Sequence, residues 1–327
     1  MKTPFGLMAA LVFCAGCTDP KPVSLALPDP GSKGFQQTIT PFLVAKGTEQ
    51  QNCYFFSVPG NTGDDVWIDH FQLSGSTGTH HMNVFRVKTI VALNGNPGDV
   101  VENGECFKSG NWADWPLVVN SQEGDGVVDW TLPTGVGARF TAGEKLMLQV
   151  HFVNATTQTT PGQAESWVNY YYAASPPPNE LGTLFATNQN IKICPGDTDI
   201  KFDAHCTFNS QGVTVIAANG HFHSRGIDFK IAPVDSMGNA QMDKTFYDST
   251  TWAEPPMTRG LDIQLPMGTG VDWECAYSAP QDSCANPDAG TSDGCCYTFG
   301  GHVETQEHCN AFVYYYPKQA AGDITCF

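Results

Sequence analysis

The sequence predicts an all-β protein built as two sandwich- or barrel-like domains, on three observations. Charged residues fill only 15% of its 327 positions, against about 25% in an ordinary soluble domain. Its 33 glycines and 22 prolines favour short strands and frequent turns over long amphipathic helices. Apolar and aromatic runs of roughly four to eight residues recur between turn residues. At about 150 residues per domain, the length fits two domains or one large β domain. A coiled coil, a helical bundle and a single small core are excluded.

Taken in order, the chain opens with Met1-Lys2, an apolar stretch through Leu7, Leu11 and Phe13, and Cys14-Ala15-Gly16-Cys17. A charged start, a short apolar region and small residues at the cut predict a secretory signal over 1–16. Small residues directly before Cys17 resemble a bacterial lipobox, which makes Cys17 the expected lipidated residue. Ordinary secretion with a cysteine near the cut is the alternative. The stretch 17–34, with Pro20, Pro22, Pro28, Pro30 and Gly31, reads as a flexible tether.

Strands are expected at Cys53 to Val58, Val66 to Leu73, Val84 to Val91, Leu146 to Val153 and Ser166 to Tyr172. Pro176-Pro177-Pro178 cannot continue a central strand, because successive prolines remove ladder donors. The boundary between an N-terminal domain, 35–175, and a C-terminal domain, 176–327, is therefore placed there. Further strands are expected at Val213 to Ala218, Ile227 to Ile231 and Ala311 to Tyr316, with a long cysteine-pinned loop over 281–294.

The net charge of −17 would repel phosphate backbones and anionic lipid, so nucleic acid is excluded as a partner. No later stretch reaches the roughly 18 apolar residues of a membrane helix. Membrane contact is therefore expected only through a lipid anchor. With Cys14 and Cys17 set aside from the 12 cysteines, an even number remains at scattered spacings, which predicts disulfides and export to an oxidising compartment. A zinc cluster would need paired cysteines at metal-site spacing. Acidic glycine-containing segments such as 288–294 lack the calcium-loop pattern and read as solvated turns.

The nine histidines carry the chemistry. His80 and His81 are adjacent, so both can reach one ion only if the strand bends or bulges, and Gly75 and Gly78 lie just before them. In Leu146 to Phe152, alternation puts Met147, Gln149 and His151 on one face. His221 and His223 flank Phe222, so both rings project from one side of a strand. His308 precedes Cys309. Neutral imidazole suits copper, zinc, iron or nickel. Each histidine has a bland alternative as a hydrogen-bonded core or surface residue, which is the reading given to His70 and His205.

Together these segments resemble the copper type II, ascorbate-dependent monooxygenases, the family of peptidylglycine α-hydroxylating monooxygenase and dopamine β-monooxygenase. The resemblance runs from about Cys53 to Cys326, with four motifs in order. They are Thr79-His80-His81-Met82, then Leu132-Pro133 with Leu148-Gln149-Val150-His151, then Gly220-His221-Phe222-His223, and last Cys275-Ala276-Tyr277 with Glu307-His308-Cys309-Asn310.

The resemblance implies two jelly-roll-like β-sandwich domains facing across a cleft, with two coppers per chain. His80, His81 and His151 would hold an electron-transfer copper. His221, His223 and His308 would hold the catalytic one, where dioxygen and a small organic substrate meet. It also implies disulfides Cys53–Cys106, Cys206–Cys326 and Cys275–Cys309, leaving Cys194, Cys284, Cys295 and Cys296 unassigned. Ascorbate or another external reductant would supply electrons. His308 stands where the family has methionine, and a third imidazole favours Cu(II) where a thioether favours Cu(I). The family's substrate-binding positions correspond to Asn219, Asn310 and Phe312, without the arginine that clamps a peptide carboxylate. Gln149, on the same strand face as His151, is read either as orienting a water or a hydrogen bond behind the metal ligands or as a core-packing residue.

The expected activity is hydroxylation of a C–H bond. One alternative is a lipid-anchored copper-binding or copper-relay protein on the same scaffold. A weaker one is a zinc hydrolase, which would want a general base; Glu307 is close in sequence, but as a strand neighbour of His308 it should face away. The expected location is the bacterial periplasm or cell surface.

Overall fold

The computed structural model describes residues 25–90, 92–108, 114–123, 126–154, 161–280 and 295–327. It is an all-β protein, in which the α-helix among the described residues is the four-residue turn Glu105–Lys108. None of its helices is long and apolar enough to cross a membrane. The signal segment, Cys17 and the 281–294 loop lie outside the described residues.

Two sandwiches follow one another. In the first, a six-stranded sheet is ordered Gly34–Thr38, Ser166–Tyr172, Asp65–Gly75, Val136–Thr141, Asn179–Glu180, with Val127–Thr131 also paired to Asp65–Gly75. It packs on a five-stranded sheet ordered Val100–Val101, Glu49–Ser57, Lys145–Val153, Thr79–Arg86, Leu117–Ser121. The second sandwich pairs a five-stranded sheet, Thr258–Leu265, Val213–His221, Asn310–Tyr316, Gly182–Thr187, Ile324–Cys326, with a four-stranded one, Ile200–Thr207, Gly270–Tyr277, Gly226–Val234, Tyr247–Ser249.

Strand Ser166–Tyr172 has the expected bounds, whereas the strand expected to run to Val91 ends at Arg86. Beyond the prolines, Asn179–Glu180 still pairs in parallel with Val136–Thr141, so the first sandwich retains the chain past the expected boundary. The expected tether is also shorter than 17–34. Carbonyls of Leu27 and Pro28 accept hydrogen bonds from Gln36 and Asn169 at 3.0 and 2.9 Å, which ties that segment to the first sheet.

The two five-stranded sheets stand face to face. On Asn310–Tyr316 and Gly182–Thr187, alternate side chains divide between two cores. Phe185, Phe312 and Tyr314 join the core of the first sandwich, while Leu184, Val313 and Tyr315 join the second. Phe185 stacks on Phe312 at 5.3 Å and meets Phe85 edge-on at 6.2 Å. Trp130 packs edge-on against Tyr314 at 4.9 Å. These rings seal the two halves with apolar contact.

Cys53–Cys106, Cys206–Cys326 and Cys275–Cys309 are bonded, and Cys194 pairs with Cys296. These four disulfides among the described residues mark a protein of an oxidising compartment. Two of them bracket the segment 296–309, which borders the site.

Candidate metal centre

His81 and His151 sit directly opposite each other on neighbouring antiparallel strands. The register then slips, because Phe152 pairs with Thr79 and leaves His80 as the extra residue of a β-bulge. That bulge satisfies the geometric condition on the adjacent histidines: it turns His80 away from the strand's alternation and lets both rings face one place. Ligand nitrogens of His80, His81 and His151 lie within 4.8 Å of one another.

From the second sandwich, strand Val213–His221 ends on His221, and its continuation carries His223. The same 4.8 Å grouping joins His221 and His223 to His80. His80 belongs to both groupings. The His308 ring lies tilted against those of His223 and His221, at ring distances of 4.4 and 4.9 Å. Across the halves, His81 meets His221 at 4.7 Å and His80 meets His221 at 5.2 Å. The six rings form one continuous cluster at the junction of the two sheets.

Four of the six rings are each oriented by an acceptor. His151 Nε2 faces Glu49 Oε2 at 2.8 Å. His221 Nδ1 faces Gln122 Oε1 at 2.6 Å, and Gln122 Nε2 donates to the Gly220 carbonyl at 2.8 Å. His223 Nδ1 faces the Gln306 carbonyl at 3.0 Å, and the His80 ring bonds to the Ala253 backbone. A proton placed on each of these nitrogens leaves the other ring nitrogen as a lone pair. Those nitrogens, His80 Nε2, His151 Nδ1, His221 Nε2 and His223 Nε2, are buried without a hydrogen-bond partner, as are both of His81 and Nδ1 of His308.

Burial dominates the electrostatics. It pushes His80 down to about 3, with repulsion from His151 and His308 adding to it. Burial does the same to His308, also down to about 3. His81, His221 and His223 fall well below the ordinary histidine range, again mainly through burial. Neutral rings with converging, unsatisfied lone pairs are costly in an apolar interior. A metal ion bound by imidazole relieves that cost, so the residues present fit one, and the donor set suits copper, zinc, iron or nickel.

The cluster lies beside a cavity of about 470 Å³ between the halves. Phe85, Phe185, Phe299 and Phe312 line it, with Asn83 and Asn310 as polar points. Asn310 and Phe312, two of the positions the resemblance implied for substrate binding, both line this cavity. Asn219 is buried next to Phe312 in the sheet, outside the cavity lining. Gln149 does line the cavity, but its Oε1 accepts from Asn83 Nδ2 at 2.7 Å.

Glu307 does not face the cavity. Its carboxylate accepts the backbone N–H groups of His223 and Arg225, each at 2.9 Å, and burial raises it to about 8. It fastens the His221–His223 turn to the His308 segment, which removes it as base for a zinc hydrolase. Glu49, Gln122 and Gln306 were not expected at the site. Of the three, Gln306 alone had a local sign, its place two residues before His308.

No protein-family model and no curated protein matches the chain. Among solved structures, it is similar to the STIV MCP, with 9% identity over 86% of this chain and 95% of that one at a TM-score of 0.31. It is similar to the broad bean stain virus structure, with 6% identity over 86% and 79% of the two chains and a TM-score of 0.27. A third likeness is to the N-terminal CBM22-1–CBM22-2 tandem domain of Paenibacillus barcinonensis Xyn10C, with 11% identity over 86% and 83% at a TM-score of 0.22.

Proposed function

We propose that the protein is a copper-dependent monooxygenase that hydroxylates a C–H bond of a small, uncharged and largely apolar substrate. The reading is supported by one observation above others: buried, neutral, unpartnered imidazole nitrogens border an aromatic-lined cavity. Its motif order is that of the copper type II monooxygenases, and the anchored periplasmic or surface location through Cys17 belongs to the same reading.

His80, His81 and His151 from the first sandwich, and His221, His223 and His308 from the second, would hold the copper. When bound, copper supplies one-electron redox chemistry and a place for dioxygen. In the overall balance, substrate R–H, O2, two electrons and two protons give R–OH and water, with ascorbate or a similar external reductant as the electron source.

The chain's own residues define the rest. Phe85, Phe185, Phe299 and Phe312 exclude water and receive an apolar substrate. Buried oxygens Asn83 Oδ1 and Asn310 Oδ1 lack donors and can accept a hydrogen bond that orients it. No lysine or arginine lines the cavity, so a substrate carboxylate has no clamp there. Glu49 and Gln122 hold the ring tautomers that keep His151 Nδ1 and His221 Nε2 as lone pairs.

The test is oxygen uptake by the copper-loaded, ascorbate-reduced protein, with and without candidate C–H substrates. Uptake matched by hydroxylated product is expected, and it should fall at least a hundredfold in His223→Ala. Stable copper without turnover would instead favour a relay protein. Zinc retained in preference to copper, with no oxygen uptake, would end the reading.

A further inference from the structure

We infer that Asn83 selects the molecule the cavity receives, and that this molecule is a neutral aromatic compound whose head group donates a hydrogen bond through an O–H or N–H. The inference rests on the proposed reading of this cavity as a substrate site, and it adds the head group which that reading leaves open.

Strand periodicity sorts the cavity wall into rows. Along Thr79–Arg86, His81, Asn83 and Phe85 share one face, and the antiparallel register sets them opposite His151, Gln149 and Met147. From the second sandwich, Asn310 pairs with His221 and Phe312 with Asn219. Successive rows, two strand residues apart, are separated by about 7 Å. The wall therefore runs from imidazoles through carboxamides to phenyl rings, and Asn83, Phe85, Asn310 and Phe312 all border the same cavity.

Asn83 is the fixed point of the carboxamide row. It is 7% exposed, its Nδ2 donates to Gln149 Oε1 at 2.7 Å, and its Oδ1 has no donor. Asn120, opposite it on the neighbouring strand, is turned to Tyr314, whose hydroxyl donates to Asn120 Oδ1. The Gln149 contact thus decides which end of the Asn83 amide is left over, and it is the acceptor. A buried acceptor without a donor is unfavourable, and a ligand that supplies the donor recovers the loss. A ligand of the same shape without one leaves the loss in place. Asn310 Oδ1 offers a second unpartnered acceptor from the opposite half.

Charge and apolar surface set the rest of the ligand. Among the described residues lining the cavity there is no lysine or arginine, and the one carboxylate, Glu49, is engaged by His151 and the Val303 N–H. A carboxylate head would meet unpartnered oxygens and no cation, so the head group is neutral. Phe85, Phe185 and Phe312 form one aromatic set, with 6.2 and 5.3 Å between ring centres. An aromatic body rests among these rings with its head group on the carboxamide row.

The full-length protein, without reductant so that no turnover occurs, is titrated calorimetrically with four naphthalenes that share one body: naphthylmethanol, its methyl ether, ethylnaphthalene and naphthoate. The alcohol is expected to bind at least about tenfold more tightly than the ether or the hydrocarbon, with naphthoate weakest. Asn83→Leu keeps the shape and removes the acceptor, so it should bring alcohol and ether within about threefold of each other. Equal affinity of the wild type for alcohol and ether, tighter binding of the ether, or no binding of any of the four would overturn the inference. So would a tenfold preference that survives in Asn83→Leu. The wild-type comparison decides the ligand class on its own should that variant fail to fold. Donor preference without oxygen uptake would leave this inference standing while the monooxygenase reading fell, and turnover without the preference would do the reverse.

Discussion

Glu49 Oε2 lies 2.8 Å from His151 Nε2, and the same oxygen accepts the Val303 backbone N–H at 3.3 Å. One carboxylate thus orients a ligand of the first sandwich and grips the segment that leads to His308. Burial alone would raise its pKa, but the hydrogen bond to His151 and the one from the Val303 N–H bring it below the ordinary value. Carboxylates behind metal-bound histidines set ring tautomer and basicity, and their loss costs about 10–100-fold in metal affinity. On the copper reading proposed above, Glu49→Gln should weaken copper binding by that factor, measured by competition with a chelator of known strength. Unchanged affinity would remove Glu49 from this role.

Gln122 joins the halves at the metal end. Gln122→Ala strips a partner from the His221 ring and from the Gly220 carbonyl. An unsatisfied buried group costs about 1–3 kcal/mol, so chemical denaturation should show a loss of at least about 1 kcal/mol. On the metal reading proposed above, metal binding should weaken more through His221 and His223 than through His81 and His151. Equal weakening of both would mean that Gln122 acts only through domain packing.

Much of the fold was legible in the sequence because period-2 patterning and turn residues are local signals. Ser166–Tyr172 and Lys145–Val153 were located within a residue. The bulge at His80 was legible as a requirement, since adjacent strand residues cannot share a face otherwise. The orienting groups were not. Glu49 is 102 residues from His151, and Gln122 is 99 from His221; nothing local marks either. Continuity of the two histidine sets was also hidden, because it depends on how Phe85, Phe185 and Phe312 seal the halves together.

Glu307 fastens the second set. Glu307→Ala would leave the His223 and Arg225 N–H groups unsatisfied in a buried place, a cost of about 1–3 kcal/mol each. Glu307→Gln keeps one acceptor oxygen and should be milder. The expected order of thermal midpoints is wild type, Glu307→Gln, Glu307→Ala, with copper retention following the same order. A reversed order would show that the carboxylate does not hold this turn.

The Cys275–Cys309 disulfide closes a loop of 34 residues and fixes the backbone immediately after His308. By the chain-entropy model, a crosslink over a loop of that size contributes about 3–4 kcal/mol. The double variant Cys275→Ser with Cys309→Ser should lose stability of that order in urea and lower the copper count under mild chelation. Full copper retention at reduced stability would separate the fold's need for this bond from the site's.

Asp272 supplies a pH test remote from the metal. It is 5% exposed, and strand pairing sets it opposite His205. Burial chiefly, then repulsion from Asp203, pushes its carboxyl up to about 6 from 3.8, with His205 opposing. Because the folded state holds the proton more tightly than the unfolded one, this group costs stability above pH 6, and the cost fades as pH falls toward 4. At about 1.4 kcal/mol per pKa unit, the penalty at neutral pH is at most about 3 kcal/mol. Asp272→Asn should therefore stabilise the protein at pH 7.5 and lose that advantage by pH 4, read from urea midpoints across the range. An advantage that persists unchanged at pH 4 would mean that the gain comes from packing or hydrogen bonding and not from the buried charge.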